Sequence, residues 1–271
     1  MIKISDKEFK RLTEYLRENY GINLIKKRTL IESRLNNHMQ RNGFDNYTDY
    51  LNYAVEDKSG REMSNIINIL TTNYSYFMRE WEHFRYFKEE LLPEVMPKVV
   101  GRDLRTWSAG CSSGQEPYTM AMLISDYLGG NKAGWDTKVL ATDISLKALS
   151  VGKEGIYSDE SLNGVPAGWK YSYFEKASNI DWRVKDSLKK EVIFRRFNLM
   201  DEHFPFKKKF HVIFCRNVMI YFNEQTKQTL IEKFYNSLEN GGYLFIGQSE
   251  SINRNENSFK YVMPSIYKKV G

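Results

Sequence analysis

The sequence predicts an α/β fold, a parallel sheet with helices on both faces, preceded by an all-helical segment. Three observations carry this. Residues 1–70 place their apolar side chains at helical spacing throughout. From about residue 104, short apolar runs alternate with amphipathic helical periods, the pattern of strands connected through helices. Residues 155–190 interrupt that alternation with a stretch rich in Tyr, Trp, Ser, Asn and Lys, which reads as an insertion carrying a small β-hairpin element.

The helical segment opens on Ser5-Asp6-Lys7-Glu8, a capping box in which the serine oxygen accepts the third-position N–H and the glutamate reaches back. Phe9, Leu12 and Leu16 continue that helix to Tyr20-Gly21. Leu30, Ile31, Leu35, His38 and Met39 mark a second helix, stopped at Asn42-Gly43; Tyr47, Tyr50, Leu51 and Ala54 mark a third, and Met63, Ile66, Ile67 and Leu70 a fourth. The spacing of Trp81, Phe84, Phe87 and Leu91 predicts one long aromatic helix in the connecting segment. The expected division is a helical domain over 1–72, a connecting segment over 73–103 and an α/β domain over 104–271. Strands are expected in LRTWSAG, KVLATDI, EVIFRRFNL, HVIFCRN, GYLFIGQS and SIYKKV, and helices in PYTMAMLISDYL and NEQTKQTLIEKFYNSLE.

Composition narrows the function classes. With 271 residues, 41% hydrophobic and 14% aromatic, the chain has material for a real core and is not a disordered or fibrous protein. Cys111 and Cys215 lie far apart, which excludes a disulfide scaffold and a cysteine zinc site and points to a reducing compartment. The start MIKISDKEFK has no apolar core of a secretory signal, and no run approaches a bilayer span, so a soluble cytoplasmic protein is expected. The net charge of +6 points to an anionic partner, and the surplus is uneven: residues 1–44 hold ten basic side chains against five acidic ones. A solvated helical face accounts for such a surplus as readily as a docking surface does.

In open α/β sheets ligands bind beyond the carboxyl ends of the strands, so candidate residues are sought there. The first strand closes on Ser108-Ala109-Gly110-Cys111-Ser112-Ser113-Gly114-Gln115-Glu116-Pro117, whose glycines suit either a close backbone approach to a ligand or a tight structural turn. It is not GxGxxG, which argues against a dinucleotide. The second strand ends at Asp143, placed to accept ribose hydroxyls or to cap the next helix. Asn198-Leu199 and Arg216-Asn217 follow at the next two strand ends, where an amide suits an adenine edge and a leucine its face; Asn is also common in turns. Four polar strand ends together favour an adenosine-containing cofactor. His38, His83, His203 and His211 fall at none of these ends and are expected to be structural or on the surface.

LTTNYSYFMRE, WSAGCSSGQEPYTMAM, ATDIS, FNLM, FCRNVMIYF and GGYLFIGQSE occur in this order. Together they closely resemble the CheR family, S-adenosylmethionine-dependent protein-glutamate O-methyltransferases that esterify glutamates on bacterial chemoreceptors. The resemblance covers essentially the whole chain. It implies a Rossmann-like methyltransferase sheet with a small inserted antiparallel β subdomain and an all-α N-terminal domain. It implies S-adenosylmethionine as cofactor, S-adenosylhomocysteine as product, no metal and a monomer. By matching position it assigns cofactor contacts to Asn73, Ser75, Arg79, Glu116, Asp143, Asn198, Leu199, Arg216 and Asn217, and places Arg79 and Tyr221 around the reacting methyl. The partner it implies is the helical methylation region on the cytoplasmic side of a chemoreceptor, with no nucleic acid and no membrane insertion. Lys26, Lys27, Arg28, Arg34 and Arg41 are then the expected docking residues for that acidic surface, Arg34 and Arg41 sharing one helix face.

The chain departs from the family pattern at Ser75, usually threonine, Met78, usually phenylalanine, Gln115, commonly glutamate, and Gln248, commonly histidine. None of these removes a group assigned to methyl transfer. The stretch Glu175-Lys176-Ala177-Ser178-Asn179-Ile180 is short and lacks the glycine of family members that tether a receptor tail, which argues against such tethering. Rival readings are a nucleic-acid methyltransferase, disfavoured because no strand end shows an NPPY-type arrangement, a cofactor-sensing module without catalysis, and a redox Rossmann enzyme, which lacks its glycine fingerprint.

Overall fold

The capping box forms as the residues predict. In the computed structural model, which describes residues 2–71, 74–253 and 258–271, Ser5 Oγ accepts from Glu8 N–H and Glu8 Oε2 accepts from Ser5 N–H at 2.8 Å. This starts helix α1 (Asp6–Tyr20), which ends at Gly21 with φ 73°. Helices α2 (Arg28–Arg41), α3 (Tyr47–Glu56) and α4 (Arg61–Leu70) each bury one stripe on a shared core that includes Leu12, Leu16, Ile31, Leu35, Tyr50 and Ile66.

The expected connecting helix runs as α5 (Trp81–Tyr86), a π-helical turn over Phe87–Leu91, and α6 (Leu92–Val95). The loosened turn lies where Pro93 removes an N–H from the i→i−4 ladder.

Strands β1 (Thr106–Ala109) and β2 (Val139–Asp143) begin the main sheet. Strands β3 (Ile156–Ser158), β4 (Phe174–Lys176) and β5 (Asp181–Val184) then form a separate antiparallel sheet in the order β3-β5-β4, the small inserted subdomain. The main sheet resumes with β6 (Val192–Arg196), β7 (Phe210–Cys215), β8 (Leu238–Ile246), β9 (Phe259–Met263) and β10 (Ile266–Lys269), in the order β6-β2-β1-β7-β8-β10-β9. The pairs among β6, β2, β1, β7 and β8 are parallel, and β10 is antiparallel to both neighbours. Helices α7 (Gln115–Leu128), α8 (Leu146–Glu154), α9 (Ala167–Tyr173), α10 (Asp186–Lys189) and α11 (Glu224–Ser237) complete the α/β part.

Side-chain alternation divides the core between the two faces of the sheet. Val212, Phe214 and Phe245 pack with Phe84, Met120, Leu123 and Ile124 on one face. Trp107, Ile213 and Leu244 pack with Leu230 and Phe234 on the other. Central strands buried on both faces explain why their sequences are continuous apolar runs. Strand β9 does not appear among the sequence expectations for the opposite reason: it is an edge strand in which Phe259 alone is buried. Among the described residues no helix is long and apolar enough to cross a membrane.

The chain leaves β1 toward β2 and β6, then returns to β7 on the other side of β1. The strand order therefore reverses between β1 and β7, and a crevice opens beyond their carboxyl ends.

Candidate active site

That crevice is closed on one side by the helical domain. Tyr20, Ile22 and Ile67 line it together with Ser75, Arg79, Glu116, Asp143, Asn198, Leu199, Arg216, Asn217 and Tyr221. All the residues expected to surround the cofactor and the methyl thus converge on one cleft, except Asn73, which lies outside the described residues. The docking of the helical domain is specific: Asn23 N–H donates to Tyr221 O at 2.8 Å, and Ser64 Oγ accepts from Leu146 N–H at 3.0 Å. Gly21 permits the approach, since a Cβ there would lie 2.7 Å from Met200 Sδ and 3.0 Å from the Phe222 ring.

Two arginines in the cleft have opposite environments. Arg216, with a side chain 2% exposed, is paired by Nη1 to Glu116 Oε2 at 2.9 Å and by Nη2 to Glu80 Oε2 at 3.1 Å, and Nη2 also donates to the carbonyl of Arg79. Glu116 Oε1 accepts in addition from Ser108 Oγ–H at 2.7 Å. Arg79 is half-buried and donates from Nη1 to Tyr74 O at 2.8 Å, but no carboxylate among the described residues pairs with it. Arg216 is structurally neutralised; Arg79 presents its charge to the cleft.

At the end of β2, Asp143 Oδ1 accepts from Ser145 N–H and Oδ2 from Ser112 N–H, each at 2.8 Å. The Ile144 N–H also bonds this carboxylate, whose two oxygens between them keep acceptor capacity for a ligand hydroxyl. Burial raises its pKa against the opposing pull of those backbone donors. Ser145, not Asp143, caps α8.

Three sets of expected residues also have partners within the fold. The Asn198 amide, expected on an adenine edge, lines the cleft while Nδ2 donates to Asn19 O at 2.7 Å and Oδ1 accepts from Met200 N–H at 3.1 Å, which fastens α1 to the sheet and leaves one N–H and one lone pair for a ligand. Gly110 and Gly114 are required by packing in a tight turn, and Gly110 also lines the cleft. A Cβ on Gly110 would overlap Val218 Cγ2, and one on Gly114 would lie 2.9 Å from Tyr157 Oη and 3.0 Å from Gly152 Cα. Arg28 and Arg34, expected to face a partner, also bond within the chain, Arg34 while remaining exposed. Arg28 pairs with Asp6, donates to Ile4 O at 2.7 Å and lies 4.4 Å over the Phe9 ring. Arg34 caps the end of α4 by donating to the carbonyls of Ile69 and Leu70 at 3.2 and 3.3 Å. Lys26, Lys27 and Arg41 are exposed and form no ion pair among the described residues.

Two acids of the site escaped the sequence reading. Glu80 holds Arg216, and Glu250 gathers the N–H groups of Asn217 at 3.0 Å, Ile220 at 3.1 Å and Gly247 at 2.6 Å, tying the loops after β7 and β8 together. Each closes one of the quoted sequence blocks, LTTNYSYFMRE and GGYLFIGQSE, but neither residue type nor spacing marks it as part of the site.

Beneath the cleft lies His83. Burial first, and the Arg216 charge second, push its pKa down to about 4 from 6.5. Between those values the unfolded chain binds a proton that the folded one excludes, so this stability is full above pH 6.5 and is lost as pH falls toward 4. His83→Gln is therefore expected to flatten the pH dependence of unfolding in urea over that range relative to the parent. His211, Asp143 and Glu250 are also shifted but act in both proteins, and equal slopes would show that His83 does not titrate on unfolding.

Comparison with known proteins agrees with the geometry. Residues 7–71 match the family model described as CheR methyltransferase, all-alpha domain, and residues 73–267 the one described as CheR methyltransferase, SAM binding domain. The chemotaxis protein methyltransferase of Borreliella burgdorferi is 43% identical over 99% of this chain and 96% of that protein. Chemotaxis protein methyltransferase 1 of Pseudomonas aeruginosa is 34% identical over 95% of each, and the Escherichia coli protein 33% identical over 98% of this chain and 92% of that one. A two-part match that spans both the helical wall and the strand-end cleft leaves one conclusion: the chain belongs to the CheR methyltransferase family.

Proposed function

We propose that the protein transfers a methyl group from S-adenosylmethionine to glutamate side chains of a bacterial chemoreceptor, forming glutamyl methyl esters. The observation that carries this reading is Arg79, a cation on the cleft wall with no carboxylate partner among the described residues. A carboxylate substrate supplies that partner.

The residues present fit the cofactor. Arg216 Nε is buried with no hydrogen-bond partner among the described residues, a donor left for a ligand or water. Asp143 and Glu116 offer acceptors to hydroxyl and amino groups, while Leu199, Ile144 and Phe197 form an apolar wall for a base. When bound, S-adenosylmethionine supplies a methyl already activated by a positively charged sulfur. The acceptor needs no general base, because a glutamate of pKa about 4.3 is ionised near neutral pH.

What the chain must supply is orientation. Arg79 would grip the substrate carboxylate through its planar fork and leave one oxygen lone pair directed at the methyl. Tyr221, half-buried on the opposite loop, would hydrogen-bond the same carboxylate or close the channel around it. Such positioning is worth several kcal/mol of barrier.

For docking on an acidic receptor helix, Lys26, Lys27, Arg28, Arg34 and Arg41 offer the charge, and Lys26, Lys27 and Arg41 are the three that form no ion pair or backbone cap among the described residues. Reversing all three to glutamate is expected to raise KM for the receptor by about tenfold and to weaken its salt dependence, with kcat nearly unchanged. Unaltered KM and salt response would remove these residues from the interface. Arg34 is unsuitable for this test because its loss uncaps α4.

The acceptor class is tested with methyl-labelled S-adenosylmethionine offered to a chemoreceptor cytoplasmic fragment and to bulk RNA in parallel. Label on the receptor fragment is expected. Label on RNA with none on the receptor would overturn the reading.

A further inference from the structure

We propose that Glu80 is a positioning residue for methyl transfer, holding Arg79 in the cleft by locking the segment 78–80 onto Arg216 and Asn217. The inference rests on the function proposed above. Met78 and Glu80 have φ of 62° and 57°, left-handed backbone that side chains with a Cβ adopt at an energetic cost. Arg79 lies between them, so its direction into the cleft follows from their conformation. Such strain persists only where surrounding bonds over-determine it.

Those bonds converge on one carboxylate. Glu80, with a side chain 12% exposed, lies by Oε2 3.1 Å from Arg216 Nη2 and accepts there from Gln248 N–H at 3.2 Å; its Oε1 accepts from Asn217 Nδ2–H at 3.2 Å. Arg216 completes the loop by donating from Nη2 to the Arg79 carbonyl. The segment entering α5 is thereby fastened to the loops after both β7 and β8.

Charge balance does not explain Glu80. Glu116 already serves Arg216 as counter-ion, and Glu80 adds a second carboxylate to the buried cluster, its Oε2 also 3.3 Å from Nδ1 of His83, whose pKa burial and Arg216 hold down. Burying a further charge is unfavourable, and what it secures here is geometry. Asn217, itself left-handed at φ 60°, is gripped by Glu80 on its side chain and by Glu250 on its N–H, so the positions on both sides of the cleft are set together.

The test is a double-mutant cycle between Glu80→Gln and Arg79→Ala, read as kcat on the receptor fragment and as cofactor affinity by calorimetry. Glu80→Gln keeps the volume and removes the charge pair. It is expected to lower kcat about 30-fold, with the cofactor Kd changed less than about threefold. In the Arg79→Ala background the same change is expected to alter kcat by less than about threefold, because the group it positions is gone. An equal loss in both backgrounds, or a loss confined to cofactor affinity, overturns the proposal. Should Gln at 80 fail to fold, Glu80→Gly takes its place, since glycine accepts this φ without strain. A stable but slow Gly variant supports positioning; a fully active one refutes it. A parent protein that binds cofactor but never methylates the receptor would instead defeat the proposed function, and this inference with it.

Discussion

Replacing Arg79 by alanine is expected to lower kcat on the receptor by about 10²–10³-fold, the scale seen when one fixed donor to a reacting oxygen is deleted. The size follows from the contrast between the two arginines of the cleft. Arg216 has Glu80 and Glu116 as counter-ions, whereas Arg79 donates to the Tyr74 carbonyl, lies 6.0 Å from the Tyr76 ring centroid and meets no carboxylate among the described residues. Arg79→Lys separates charge from shape, because it keeps the cation and loses the planar fork. Orientation predicts that lysine recovers little of the loss. Near-normal turnover with lysine would mean that neutralising the carboxylate is all that Arg79 does. Single-turnover kinetics at saturating cofactor distinguish these outcomes from a change in binding.

Gly110→Ala is expected to destabilise the fold by about 2–4 kcal/mol, combining left-handed strain with overpacking. The residue has φ 81°, and an added Cβ meets Val218 Cγ2. Val218 belongs to the loop between β7 and the 3₁₀ turn of Met219–Tyr221, so a displaced Val218 also moves Asn217 and Tyr221. Cofactor affinity should fall together with stability in urea denaturation. Adding Val218→Ala should return part of both losses by removing the obstructing methyl, leaving only the backbone strain. A Gly110→Ala protein within about 0.5 kcal/mol of the parent would show that the loop yields freely.

Much of this architecture is legible in the residues. The Ser5–Glu8 capping box, the helical stripes of the first 70 residues and the apolar runs of the central strands are local signals with local causes. Strand β9 is not, because an edge strand with one buried side chain has no periodicity to read. The site divides in the same way. Strand ends locate Glu116, Asp143, Arg216 and Asn217, since topology alone brings those positions to one crevice.

What a side chain does within the crevice depends on partners distant in sequence. Asn198 is claimed by Asn19, 179 residues away, and Arg34 by carbonyls on α4, 35 and 36 residues away. Neither spacing nor residue type reveals such pairings. Glu80 and Glu250 are invisible for the same reason, as their importance lies in the donors that fold around them. The glycine turn illustrates a subtler case: the demand for glycine is real, but its cause at Gly110 is the neighbouring loop.

The most direct test of this account is the chemical nature of the bond formed on the receptor. Receptor fragment methylated from labelled S-adenosylmethionine should release its label as volatile methanol in mild alkali, and peptide mass spectra should place the lost methyl on glutamates. Arg79→Ala should slow the appearance of that signal by about 10²–10³-fold. Methyl groups that survive alkali, or that map to lysine or arginine nitrogens, would contradict glutamyl ester formation and the carboxylate-orienting role assigned to Arg79.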